Sequence, residues 1–172
     1  MLRTTRIRAA LLPVLLLLPP AAPWVVDLRG FGPIRFGMTI EQASQALEAP
    51  ITPGPELGAP GCSSTAVPGA PAGALMMLND GRVVRVDIDA GGVYTRSGAH
   101  VGMTEDRLQE LYGDRLTVEG HPYNGSPWHY LVLHPTSGPD SAFGMVFETD
   151  GDIVRSFRAG RYPEVGWIEG CV

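Results

Sequence analysis

Hydrophobic and polar positions follow two periods along the chain, and the same order of periods occurs twice. Apolar side chains recur every three or four residues over residues 40–47 and again over residues 108–112, a spacing typical of helices that bury one face. After each of these segments apolar and polar residues alternate, which predicts strands. The strands are predicted near residues 62–67, 74–79, 82–89, 115–121, 128–134, 141–149 and 152–159.

Each predicted helix begins after the same three residues. Gly-Met-Thr occupies residues 37–39 and again residues 102–104. We expect Thr39 and Thr104 to act as N-caps, because a threonine hydroxyl can accept a hydrogen bond from a backbone N–H of the first helical turn. Gln42 stands three residues after Thr39, which completes a capping-box pattern.

A second shared motif follows each predicted helix. Asp-Gly occupies residues 80–81 and residues 150–151, in each case between two predicted strands, and this dipeptide is a strong signal for a hairpin turn. We therefore expect an α+β fold of two tandem repeats, each a helix followed by an antiparallel sheet, over residues 23–91 and 92–172. Both helices are expected on one face of the sheet or sheets, with the opposite face open to solvent.

The first residues predict export. Residues 1–22 begin with three arginines, continue as an apolar run of about ten residues and end in small residues, which is the layout of a secretory signal peptide. The apolar run is too short and too often interrupted by proline for a membrane span. The sequence thus predicts a periplasmic or secreted protein that keeps no membrane anchor after cleavage.

Charge and cysteine content narrow the possible partners and the compartment. The formal net charge of −5 becomes −8 once Arg3, Arg6 and Arg8 are removed with the signal, which argues against binding to nucleic acid or to anionic membranes. An exported chain with two cysteines, Cys62 and Cys171, is expected to form one disulfide. Closing a loop of about 110 residues would stabilise the fold by about 4–5 kcal/mol. The alternative, a redox pair, would favour the local Cys-x-x-Cys spacing, which is absent.

The paired motifs carry a resemblance to known proteins. Two Gly-Met-Thr segments, the helices after them and the two hairpins resemble the beta-lactamase inhibitory protein and its relatives over roughly residues 31–160. A single copy of this unit is similar to the small outer-membrane assembly lipoproteins of the SmpA/OmlA type. The resemblance implies protein binding through the open sheet face and no catalysis. This chain departs from the inhibitory proteins, which have a disulfide in each repeat, and from the lipoproteins, which have an anchoring cysteine.

The richest candidate surface lies in HPYNGSPWHYLVLHP, residues 121–135. Alternation from residue 128 places the two leucines of the strand in the core, and it places Trp128 and Tyr130 on the open face with Tyr123 nearby. Exposed aromatic side chains are common anchors of protein interfaces, so these three residues are predicted to bind a partner protein. The alternative is that they cover a second, smaller core under the loops.

Two arginines form a second candidate. Arg85 and Arg155 each follow an Asp-Gly pair by the same distance, which would place them at matching positions of the two repeats. They could form a paired ligand site, although arginines on exposed strands are commoner than binding pairs.

No metal, cofactor or catalytic group is predicted. On one strand, His129 and His134 would face opposite ways, and no cysteine or carboxylate stands at metal-ligand spacing. The serines lack the frame that presents a nucleophile on a strand-to-helix turn. The sequence favours an exported, non-catalytic, inhibitor-like module that binds an unidentified protein. The alternative is an envelope-assembly or structural accessory protein, and a small hydrolase or metal-binding protein is less favoured.

Overall fold

The computed structural model describes residues 24–56 and 58–171, so the predicted signal peptide, residues 1–22, lies outside the described residues. The fold is α+β, as predicted, and consists mostly of strands with two short helices. In chain order the elements are β1 (Val25–Asp27), β2 (Gly30–Phe31), β3 (Ile34–Arg35), α1 (Ile40–Leu47), β4 (Cys62–Ala66), β5 (Ala74–Asn79), β6 (Arg82–Ile88), β7 (Tyr94–Thr95), α2 (Glu105–Tyr112), β8 (Leu116–Gly120), β9 (His129–Leu133), β10 (Phe143–Thr149) and β11 (Val154–Arg161).

The larger sheet contains all seven of the predicted strands. Its strand order is β4-β5-β6-β11-β10-β9-β8, and every neighbouring pair is antiparallel. The strand bounds agree with the prediction to within two residues. The structure therefore has one continuous sheet through both halves of the chain, with β6 and β11 side by side at the junction.

A smaller sheet, which the sequence analysis did not predict, is built from β3, β2, β1 and β7 in that order. The pairing of β1 with β7 is parallel. These strands have two or three residues each, which is too short for an alternating pattern to be recognised in the sequence.

The main core lies on one face of the seven-stranded sheet, which we call the first face. Strands of both halves contribute large buried side chains, among them Met76, Phe147 and Phe157. Both helices contribute to the same core, through Ala43 of α1 and Leu108 of α2. The small sheet adds the buried residues Val26, Phe31 and Ile34.

The two helix starts have the predicted caps. Thr39 Oγ1 accepts a hydrogen bond from the Gln42 backbone N–H at 3.3 Å, and Gln42 Oε1 accepts one from the Thr39 N–H at 2.9 Å, which confirms the capping box. Thr104 Oγ1 accepts a hydrogen bond from the Arg107 N–H at 3.3 Å. These contacts satisfy N–H groups of the first turn that have no partner within a helix.

Each Gly-Met-Thr segment also binds the hairpin of its own half. The Gly37 N–H donates to the Val83 carbonyl at 2.7 Å, and the Gly102 N–H donates to the Val154 carbonyl at 2.8 Å. In return the N–H groups of these two valines donate to the carbonyls of Met38 and Met103. The repeated tripeptide is therefore both a helix start and a point of attachment to the sheet.

The two hairpins have turns of different type. In the β5–β6 turn both central residues, Asp80 and Gly81, have positive φ, as a type I′ turn requires. In the β10–β11 turn Gly151 is the first central residue and has a φ of +90°, whereas Asp152 is not among the residues with positive φ, as in a type II′ turn. The Asp-Gly pair thus lies one position earlier in the second turn.

The opposite face of the large sheet, which we call the second face, is not open as predicted. Residues 162–171, the C-terminal segment, cross it and include a short 3-10 turn over Glu164–Gly166. Val165 packs against Tyr130 and Val146, and Trp167 packs against a cluster that contains Met77. The prediction of an open face was wrong because a segment without regular alternation covers its centre.

Candidate functional site

The C-terminal segment is fixed to the second face by Arg85, a side chain from the middle of β6. The Arg85 guanidinium donates to the carbonyls of Glu164 at 3.0 Å and Trp167 at 2.6 Å, and it forms an ion pair with Asp87 at 2.6 Å. Arg85 is only 5% exposed. Its N–H donors are thus engaged within the protein, and the residue is an internal anchor.

Arg158 is a second internal anchor, from the neighbouring strand β11. Its Nε donates to the Val165 carbonyl at 2.8 Å, and its guanidinium carbon lies 5.1 Å from the centre of the Tyr130 ring, in a cation–π contact. Burial lowers the pKa of Arg158 below its usual value, and burial likewise raises the pKa of the Tyr130 phenol. The C-terminal segment therefore lies over the side chains of Arg85 and Arg158 and the ring of Tyr130.

A disulfide holds the far end of the same segment. Cys62 of β4 is bonded to Cys171, as predicted, and the bond links residues 109 positions apart in the chain. Next to it, the Ala59 N–H donates to the Cys171 carbonyl at 2.9 Å. The segment is therefore fixed at its end by the disulfide and along its length by two arginines.

His121 organises the aromatic end of the second face. It is buried, and its ring centre lies 4.7 Å from that of Tyr130, 5.9 Å from Trp128 and 6.2 Å from Tyr123. Nδ1 accepts hydrogen bonds from the backbone N–H groups of Tyr123 and Asn124 at 3.1 and 3.0 Å. These two donors assign the proton of the neutral ring to Nε2, which lies 3.2 Å from Glu148 Oε1.

The polar cluster beside His121 has an order that differs from a catalytic triad. Glu148 lies between the two other groups: its Oε1 contacts His121, and its Oε2 accepts a hydrogen bond from the Ser156 hydroxyl at 3.2 Å. Activation of a serine requires the imidazole between the hydroxyl and the carboxylate. The cluster is therefore arranged to hold His121 in place.

One exposed part of the second face is a rim along the aromatic loop and the end of the C-terminal segment. Tyr123 is 64% exposed, Ile168 is 41% exposed and Trp128 is half-buried. The Tyr123 hydroxyl donates to Glu169 Oε1 at 2.6 Å, and this hydrogen bond raises the pKa of the phenol. Two of these side chains are aromatic and one is aliphatic, and we call the three of them, Tyr123, Trp128 and Ile168, the aromatic rim.

A groove of about 200 Å³ runs beside this rim. Ile168 lines it on the side of the C-terminal segment, and Val132 and Glu119 line it on the side of the sheet. Tyr162 and Arg158 complete its polar wall. The groove is the part of the second face that the C-terminal segment leaves accessible beside the rim.

The structure separates the five residues predicted to bind. Tyr123 is exposed, as predicted, and Trp128 is partly so. Tyr130 is only 6% exposed, so its predicted exposure was wrong. Alternation placed its side chain on the correct face, but the C-terminal segment covers it. The alternative interpretation, a second small core, describes Tyr130 better.

The prediction that Arg85 and Arg155 occupy matching positions was also wrong. Both hairpins have a bulge, after which Met77 pairs with Arg85 in the first and Glu148 pairs with Ser156 in the second. The position that matches Arg85 is therefore Ser156, because the Asp-Gly pairs occupy different places in their turns. Arg155 is exposed and contacts Asp150 of its own hairpin, with its Nε 2.7 Å from Oδ2.

Sequence reasoning missed three side chains of the C-terminal segment that lie before and beside the disulfide-bonded end. Tyr162, Val165 and Ile168 all border the second face, but they belong to a stretch with no helical or strand period. The one available signal was Cys171, because its disulfide to Cys62 requires the chain to return to β4.

His129 and His134 do not lie together at one site. His129 lies 3.3 Å from Glu105 of α2, whereas His134 packs on Tyr162 with ring centres 4.0 Å apart. Within residues 24–56 and 58–171 there is no group of three or more histidine, cysteine or acidic side chains placed to hold a metal ion.

Neither helix in this part of the chain is long and apolar enough to cross a membrane.

Comparison with known proteins gives no relative. No family model, curated protein or solved structure matches this chain.

Proposed function

We propose that the protein is an exported, non-catalytic, inhibitor-like module that binds another protein through its aromatic rim and the adjoining groove. The observation that carries this proposal is Tyr123, a large exposed aromatic side chain that is restrained by a hydrogen bond to Glu169. A side chain ordered before binding loses less conformational entropy in the complex. Tyrosine is also among the residues that contribute most to protein interfaces.

The neighbouring groove supplies the rest of a small interface. Its apolar lining from Val132 and Ile168 suits an aliphatic or aromatic side chain of the partner, and Glu119 and Arg158 offer polar contacts at its wall. The covered centre of the second face limits the proposed surface to this rim.

We also propose that the two halves are tandem repeats of one unit. The matching hydrogen bonds of Gly37 with Val83 and of Gly102 with Val154 support this, as do the bulges in both hairpins. At the junction Asp87 pairs with Arg158, where a two-fold relation between the halves would place matched positions opposite one another. The inhibitor-like part of the proposal rests on this duplication and on the resemblance of the Gly-Met-Thr motifs.

The disulfide supports the export part of the proposal, because disulfides persist in oxidising compartments outside the cytosol. The predicted signal peptide over residues 1–22 supports it as well. The periplasm and the external medium are both compatible with these features.

The test is capture of partners from the envelope and secreted fractions of the organism that carries the gene. The baits are the oxidised protein, a Tyr123→Ala/Ile168→Ala variant and a Tyr94→Ala control. Tyr94 is 48% exposed and lies on the smaller sheet, so it matches Tyr123 in chemistry and not in position. A candidate partner is then purified, and its affinity for all three baits is measured.

The proposal predicts that the rim variant binds the purified partner at least about tenfold more weakly than the protein and its Tyr94→Ala control do. Equal affinity for all three baits would move the interface away from the rim. Capture of outer-membrane assembly components, retained by the rim variant, would favour the envelope-accessory alternative. Absence of any partner that binds in purified form would contradict the proposal.

A further inference from the structure

A second concave site lies on the other side of the large sheet, between its first face and the small sheet. The cavity has a volume of about 340 Å³, within the range of small-molecule sites. Its floor is apolar: the buried side chains Val26, Leu133 and Met145 line it, with the ring of Tyr112. We call this cavity the arginine pocket, after the residues at its rim.

Four arginines line the pocket, namely Arg29, Arg35, Arg96 and Arg115. The chain has 13 basic residues, all arginine, and three of them precede residue 24. Four of the remaining ten therefore meet at one cavity, in a protein whose formal net charge is negative. Such a concentration of one charge sign against the overall balance raises the local concentration of anions.

Two carboxylates neutralise only half of this charge. Arg29 pairs with Asp140 at 2.6 Å, and Arg96 pairs with Asp27 at 2.8 Å. Burial works to raise the pKa of Asp27, but hydrogen bonds from Arg96 and from the Arg29 N–H outweigh it and hold the pKa below its usual value. The nearby charge of Arg35 lowers this pKa as well, although Arg35 forms no ion pair with Asp27. Asp27 is therefore ionised at neutral pH, and its ion pair is with Arg96.

Among the described residues, the other two guanidinium groups donate hydrogen bonds only to backbone carbonyls. Arg35 donates to the carbonyls of Gly32 and Ile34, each at 2.9 Å. Arg115 donates to the carbonyls of Leu111 and Tyr112 at 2.9 and 3.0 Å. These contacts orient both side chains without neutralising them, and they leave two positive charges beside an apolar floor.

Buried contacts make this floor a fixed surface. The Tyr112 hydroxyl lies 2.9 Å from Thr95 Oγ1, which also accepts a hydrogen bond from the Ala99 N–H at 3.0 Å. The Tyr112 ring packs on Phe147 of the core, with ring centres 5.5 Å apart. The guanidinium of Arg115 lies 5.3 Å from the same ring, so charge and apolar surface are adjacent.

We propose that the arginine pocket binds a small amphiphile that has a single anionic head group, a carboxylate or a phosphate, and an apolar chain. The head group pairs with Arg35 and Arg115, since guanidinium groups bind both kinds of oxyanion through paired hydrogen bonds. The chain lies on Val26, Leu133 and Met145. This site is independent of the proposed protein interface, which lies on the opposite face of the sheet.

The test is calorimetric titration of the purified, oxidised protein with octanoate and with octyl phosphate, and octanol serves as the uncharged probe. The proposal predicts one site per chain for at least one of the two anions and binding of octanol at least about tenfold weaker. The stronger of the two anions identifies the preferred head group. Higher ionic strength should weaken anion binding, because these arginines are exposed to solvent.

Three variants locate the site. Arg35→Gln/Arg115→Gln should weaken anion binding at least about tenfold. Ser97→Trp adds an indole at the pocket wall and should abolish binding without removing a charge. Arg107→Gln removes an exposed arginine on the outer surface of α2, paired there with Glu110, and should leave binding unchanged. Circular dichroism establishes that each variant is folded.

Two results would overturn the proposal. One is the absence of saturable binding of either anion up to millimolar concentration. The other is unchanged affinity in both the double arginine variant and Ser97→Trp, which would place any bound anion elsewhere.

Discussion

The two faces of the seven-stranded sheet belong to the same strands, yet they are covered in different ways. The first face is covered by both helices and the small sheet around a continuous apolar core. The second face has two small apolar clusters, one around the disulfide and one around Tyr130, joined by Arg85 and Arg158. Its cover is the C-terminal segment.

The two faces therefore differ in how much their cover stabilises the fold and in how readily they become accessible. Apolar burial on the first face is spread over many side chains, so no single contact decides whether the face is covered. On the second face a few anchors hold a short segment, and regions with few buried apolar contacts open at lower free energy than the core does. We therefore expect the second face to open without loss of the first.

The largest effect should come from removal of the disulfide. Cys62→Ala/Cys171→Ala should lower the free energy of unfolding by about 4–5 kcal/mol, because the unfolded chain regains the freedom of a loop of 109 residues. Urea denaturation measures the loss. Hydrogen exchange should show faster exchange of residues 162–171, with β5 and β6 much less affected. Unchanged protection of the C-terminal segment would show that the two arginines suffice to hold it.

Adjacent methionines on β5 give a matched comparison of the faces. Met76 belongs to the main core and Met77 to the cluster around the disulfide, and each is 1% exposed. Met76→Ala should cost about 4 kcal/mol and Met77→Ala about 2 kcal/mol, because the C-terminal segment can collapse into the second cavity more readily than the core can into the first. Denaturant titration of both variants measures these two free-energy costs. A cost for Met77 equal to that for Met76 would mean that both covers are equally rigid.

The two arginines predicted to match should differ in a similar way. Arg85→Ala leaves two carbonyls of the C-terminal segment without their donor and Asp87 without its partner, so we expect a loss of about 1–3 kcal/mol. Arg155→Ala breaks an exposed contact with Asp150 and should change stability by less than about 0.5 kcal/mol. Thermal unfolding of the two variants provides the measurement. Equal losses of stability would show that Arg85 and Arg155 stabilise the fold to the same extent.

Local patterns were sufficient for much of this fold. The strands of the large sheet, the capping box at Thr39 and the orientation of Tyr130 follow from period and spacing, because those features depend on residues within a few positions of each other. The disulfide between Cys62 and Cys171 followed from cysteine content and compartment.

Contacts between distant segments could not be predicted in this way. Burial of Tyr130 depends on Val165, which lies 35 positions later in a stretch without regular period. The arginine pocket joins Arg29 and Arg35 of the first half to Arg115 of the second, and no sequence spacing relates them. The residue that matches Arg85 depends on the turn types of the two hairpins. The Asp-Gly pair that both hairpins share does not reveal that these turns differ.

The smallest effect should come from Asp150, which lies in an exposed turn outside both faces. The Ile153 backbone N–H and the Arg155 side chain hold its pKa at about 2, below the usual value of 3.8. A carboxyl whose pKa is lowered by folding stabilises the protein above its unfolded pKa, and the contribution is lost progressively as the pH falls from about 4 through about 2. Asp150→Asn should therefore be less stable than the wild type at pH 5 and should approach it as the pH falls below about 2, with the difference measured by urea denaturation across this range. Asp114→Asn removes an exposed carboxylate without these partners and provides the control. Identical pH profiles for the two variants would show that the turn carries no pH-dependent stability.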